Sequence, residues 1–191
     1  MAGGLGYGPL GNFALGASLV PGFDYSGEAT RIKEIVLSYN TDTAAPYLSQ
    51  DLTTKVKDVV VDDPERIAIY KNRTPILFIR ARLAEEDFSS IGNLGPTGQN
   101  SKKEKMVTWE LFGLYMKDGF RQSNDSHLNS IQDFARNLEA VFQKDPRLTG
   151  TSTSATCLWV NPKRTDFGDV IVDGNYIKGF RMDLEGVYRF R

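Results

Sequence analysis

The chain has one cysteine, Cys157, and one histidine, His127. A single thiol excludes an intrachain disulfide framework, and together the two residues are too few for a His/Cys metal cluster. No apolar run approaches the roughly 18 residues that a membrane-crossing helix needs. Neither sign of charge dominates. The formal net charge is −1, so there is no overall pull toward nucleic acid or an anionic membrane. Lys and Arg are missing from residues 1–27, where eight glycines break up the apolar residues. A secretion signal wants a positive start and an unbroken apolar stretch, so none is expected. Myristoylation wants glycine at position 2, which is Ala2 here.

What is present fits one globular domain. A length of 191 residues, 40% hydrophobic and 25% charged, allows one sizeable core. Residues 1–27 read as a flexible glycine-rich arm, made sticky by Leu5, Tyr7, Leu10, Phe13, Leu19, Phe23 and Tyr25. Such an arm either stays disordered or orders against a neighbouring subunit. Residues 28–191 form the domain. Ser26 is expected to cap a first helix, with Ala29, Ile32, Ile35, Val36 and Tyr39 on its apolar face. Val59-Val60-Val61 suggests a short strand, and Asp62-Asp63-Pro64 the start of a helical turn over 65–70.

Pro75 to Leu83 alternates as a strand, with Leu77, Ile79, Ala81 and Leu83 on one face. A long polar loop is expected over 89–105, ending in Lys102-Lys103-Glu104-Lys105. The returning strand runs from Met106 to Lys117. Leu128, Ile131, Phe134, Ala135, Leu138, Val141 and Phe142 then trace one face of a second helix that Pro146 ends. Cys157 to Val160 begins another strand, which Val170 to Val172 either continues or follows as a separate edge. Asp173-Gly174-Asn175 signals a hairpin. The closing segment, Tyr176 to Phe190, keeps a two-residue period for fifteen residues, well beyond the usual five or six. Its length suggests an overhang able to pair with another chain, unless Gly179 or Gly186 bends it. The expected fold is α+β: a mostly antiparallel sheet of about four to five strands covered by two amphipathic helices.

No residue set points to catalysis. Gly6-Tyr7-Gly8-Pro9-Leu10-Gly11 matches G-x-G-x-x-G in letters only, since no strand precedes it and Pro9 removes an amide. His127 follows a helix cap and has no nucleophile motif beside it. Cys157 reads as a small packed residue alternating with Trp159. Asp58, Asp62 and Asp63 are explained by capping and solvation without a metal. No catalytic, cofactor or metal site is assigned.

The order of elements resembles the tail terminator (tail completion) proteins of long-tailed bacteriophages. The resemblance rests on Arg73-Thr74-Pro75-Ile76-Leu77-Phe78-Ile79, Val107-Thr108-Trp109-Glu110-Leu111, the helix Leu128 to Phe142, and the end Gly179-Phe180-Arg181-Met182-Asp183-Leu184-Glu185-Gly186-Val187-Tyr188. It covers roughly residues 28–191; the glycine-rich arm departs from it. The resemblance implies a non-enzymatic virion protein, assembled in the host cytoplasm as a homo-hexameric ring. That ring would join the tail tube protein to the head-tail connector, with DNA only passing through and no membrane or cofactor involved. Another neck component (a head-completion or connector protein) is the alternative, and a small-ligand-binding domain or enzyme a more distant one. Contacts are expected from Phe13, Phe23 and Tyr25 of the arm, Lys102, Lys103 and Lys105 of the basic loop end, and Phe180 and Tyr188 of the closing strand.

Overall fold

A computed structural model describes residues 23–41, 56–61, 75–91, 102–115, 124–149, 156–172 and 175–190. The chain is α+β. Two helices, α1 (Tyr25–Thr41) and α2 (Asn124–Lys144), lie on one five-stranded sheet of β1 (Asp58–Val61), β2 (Ile76–Ile91), β3 (Lys102–Tyr115), β4 (Thr156–Val172) and β5 (Asn175–Phe190). The strand order is β1-β2-β3-β5-β4. Only β1 pairs in parallel, with β2; the other three pairings are antiparallel.

Local chemistry explains the elements and shifts several boundaries. Asp24, not Ser26, starts α1: its carboxylate accepts the Gly27 amide at 2.9 Å, and its carbonyl takes the first helical bond from Glu28. Tyr25 to Gly27, expected to belong to the arm, are in α1, while residues 1–22 lie outside the described residues, as does the helical turn expected over 65–70. Ala29, Ile32, Ile35 and Val36 are buried as their spacing predicted. In α2, Ile131, Phe134, Ala135, Leu138, Val141 and Phe142 are buried, and each large side chain contributes roughly 1.5–3 kcal/mol before entropy. Past its end the Asp145 carboxylate accepts the Thr149 amide and hydroxyl, and Leu148 takes φ 48°. Arg31 of α1 donates to the Leu148 carbonyl at 2.5 Å, tying the first helix to this turn.

The hairpin of β2 and β3 is longer than expected. Strand pairing reaches Ile91 and Lys102, so the loop expected over 89–105 narrows to residues 92–101, which lie outside the described residues. β4 is one continuous strand, the first of the two readings of Val170 to Val172. Its Val172 pairs with Asn175, which leaves a two-residue connection at the expected hairpin.

β5 is an interior strand of the sheet, between β3 and β4. β3 flanks it from Lys178 to Phe190 and β4 from Asn175 to Arg189. Its hydrogen-bonding edges are thus used inside the subunit, which corrects the expectation that it offers an overhang for another chain. No register shift falls at Gly179 or Gly186; the irregularities lie at residues 158 and 163 of the neighbouring β4 and, farther off, at Arg82 and between Asp87 and Ile91 of β2. Gly186 instead makes room: a Cβ there would sit 2.7 Å from the Tyr188 ring. That ring is buried, its hydroxyl accepting a 2.8 Å hydrogen bond from Trp109 Nε1.

Candidate assembly surface

The two-residue period sorts the sheet into unlike faces. Toward the helices point Leu77 and Ile79, Val107, Trp109 and Leu111, and Phe180, Met182, Leu184, Tyr188 and Phe190, all buried with α1 and α2 in one core. On the far face, Ile76, Phe78, Leu114 and Ile177 form a smaller buried cluster. Beyond it that face becomes a lattice of charges across β2, β3, β5 and β4. Glu110, 4% exposed, holds Arg80 on one oxygen and Arg181 on the other. Arg82 donates to both oxygens of Asp183, at 3.2 and 3.0 Å. Lys163 reaches Glu185 at 3.1 Å, and Arg189 Nε donates to Glu104 at 3.0 Å. A nearly buried carboxylate is stable here because two guanidinium groups replace its water.

Bulges place three side chains differently from a simple alternation. Ala81 pairs with Trp109 but Leu83 with Thr108, so Arg82 is the extra residue and Leu83 turns to the far face, 53% exposed. Leu83 therefore does not share a face with Ile79. The shift between Cys157 and Trp159 separates these two likewise, leaving Cys157 buried and Trp159 exposed under the Lys163 ammonium. Burial pushes the Cys157 thiol up to about 12, with Arg31 lowering it and Glu28 and Asp145 raising it. Burial likewise holds the Tyr188 phenol well above its ordinary value.

The residues expected to make contacts are distributed over core, surface and undescribed segments. Phe180 and Tyr188 are buried within the subunit, because even positions of β5 face the helices; as contact residues they are corrected. Phe23 is also buried, packed edge-on against Tyr188 at 5.0 Å and Phe190 at 5.8 Å. Tyr25 is partly exposed, and Lys105 lies over the Phe23 and Tyr25 rings at 5.5 and 5.1 Å. Lys102 and Lys103 belong to β3, although their side chains lie outside the description, as does Phe13. Arg80, Arg82, Glu110, Arg181 and Asp183 were not among the expected contact residues, although Arg, Asp and Glu at alternate positions of long strands mark a polar face.

Two features remain at the margins of the sheet. β1 pairs only with Ile76 to Ile79, so no described strand continues along the outer side of β2 past Arg80. At that point an open cleft of about 550 Å³ lies beside the start of α1, lined by Tyr25, Ala29, Val61, Ile79, Ala81 and Trp109 together with Ser26, Arg80 and Arg82. The opposite margin is β4. Val160 directs its amide away from β5, to the Pro146 carbonyl at 2.6 Å. Pro162, in the same phase, has no amide to leave unpaired there. Among the described residues no group of three or more His, Cys, Asp or Glu side chains is placed to hold a metal ion, and no helix is long and apolar enough to cross a membrane. No protein-family model matches the chain, and comparison with curated proteins finds no match.

Proposed function

We propose that this chain is a structural subunit of a phage tail or neck, of the tail terminator kind, acting as a ring at the head-proximal end of the tail tube. The observation that carries this reading is the strand order β1-β2-β3-β5-β4. It gives the sheet two unlike margins, the outer side of β2 past Arg80 and the outer side of β4. Unlike margins on opposite sides suit head-to-tail contacts, which close into rings when the rotation allows. The charged far face agrees with an assembly role. Tube protein and head connector are the partners on this reading, and DNA passes through without being bound.

Electron microscopy of tail tubes polymerised with and without the chain tests it. Density at one end of the tube, with growth arrested there, is expected. Tubes that grow freely with both ends bare would sink the terminator role. Among the described residues the cleft beside β2 favours a small-ligand reading; its charged lining residues, Arg80 and Arg82, are ion-paired to Glu110 and Asp183.

A further inference from the structure

We infer that the joint between neighbouring subunits is a strand addition, in which the outer edge of β4 from Arg164 to Phe167 pairs with the outer edge of β2 from Ala81 to Glu85 of a second copy. This rests on the ring reading above and names the surfaces that would make the ring.

Strand direction comes first. β2 and β5 run one way, β3 and β4 the other. A copy related by rotation about an axis along the strands keeps those directions, so its β2 meets β4 antiparallel. Antiparallel addition to an unpaired edge gains main-chain hydrogen bonds for groups that otherwise face water.

Face and charge then select a register. Directly opposed residues share a face. Ala81 lies on the helix side opposite Trp109, and Phe167 lies on the helix side opposite Phe180. With Ala81 set against Phe167, the bulged pair Arg82 and Leu83 meets Asp166, Ala84 meets Thr165, and Glu85 meets Arg164. Arg82, Asp166, Glu85 and Arg164 all belong to the far face, since their partners are far-face residues of β3 and β5. The two far-face contacts in this register, Arg82 with Asp166 and Glu85 with Arg164, bring opposite charges together.

On the helix side the same register brings Phe167 to the cleft. Phe167 is 44% exposed in the isolated subunit, its ring 6.5 Å from Phe180. Ala81 is small, and the cleft beside it is lined by Ile79, Val61, Ala29 and Trp109. An aromatic ring entering a fitted apolar cleft has the character of an interface anchor. The tip of the β4–β5 hairpin past Gly168 would otherwise enter the lane that β1 holds beside Ile79. The paired glycines Gly168 and Gly179 sit where the hairpin must turn aside, and Gly168 has open space around it.

Charge reversal tests the joint, with native mass spectrometry and circular dichroism as readouts. Glu85→Arg and Arg164→Glu, each made alone, should keep the monomer's spectrum and weaken assembly by about tenfold or more. An equal mixture of the two variants should assemble again, because every joint in an alternating ring pairs opposite charges. A wild-type assembly that both variants leave unchanged, or variants that mixing does not rescue, overturns this joint and leaves the ring reading standing. A two-fold pairing of β4 with β4 is among those overturning results, since it would leave Glu85→Arg silent. A wild-type chain that stays monomeric, alone and with tube protein, overturns both.

Discussion

Gly113 shows how tightly single positions of the sheet are set. It pairs with Phe180, and a Cβ there would overlap the Phe180 ring, which packs against Phe134 of α2 at 5.1 Å. Gly113→Ala is expected to destabilise by about 1–3 kcal/mol through overpacking, read as a lower midpoint in thermal or urea unfolding. Cys157 and Tyr188 supply a second residue-scale prediction. Below their ordinary values of 9.0 and 10.0, both groups are protonated whether the chain is folded or not, so they give stability no pH dependence. Above those values the unfolded chain releases protons that the folded core retains. Stability therefore falls from about pH 9 upward, toward the folded value of about 12 for Cys157, with each group adding at most about 1.4 kcal/mol per pH unit. In Cys157→Ala the decline measured by urea unfolding should begin about one pH unit later, where Tyr188 takes over. A decline that begins at the same pH in the variant would place the effect elsewhere.

Elements were legible wherever one strand or helix decides its own pattern. The apolar face of α2 and the alternation of β5 were plain in the sequence, because burial on one side imposes a period that no partner has to supply. Strand partners are another matter. The bulges at Arg82 and at residues 158 and 163 of β4 set two residues against one, a match that depends on both strands, so Leu83 was assigned to the wrong face. The interior place of β5 was hidden for the same reason. Arg181, Asp183 and Glu185 are braced by Glu110 of β3, Arg82 of β2 and Lys163 of β4. At the start of α1 the expected cap was Ser26, whereas the bond from the Gly27 amide makes Asp24 the cap. Asp24→Ala is expected to cost about 0.5–2 kcal/mol, while Ser26→Ala, exposed within the first turn, should cost a few tenths at most. Equal losses in chemical unfolding would contradict the assigned cap.

At the scale of the whole molecule the account joins two separable claims. The fold is α+β, with its most regular strand inside the sheet, so strand pairing with a neighbour must be made elsewhere. The proposed role follows from what that leaves: two unlike margins, a cleft beside one of them, and an exposed phenylalanine on the other. Of the expected contact residues, those on β5 proved to be core, because aromatic side chains at alternate positions look alike whether they face a helix or another subunit. The edges β2 and β4 were invisible from sequence, since an edge exists only once the strand order is known.

The central claim, that this chain forms a ring, is tested most directly by the native mass of the purified full-length chain over a range of concentrations, alone and with tail tube protein. The account predicts a closed species at six times the 21.3 kDa of the chain. A single species at 21.3 kDa under every condition would contradict it.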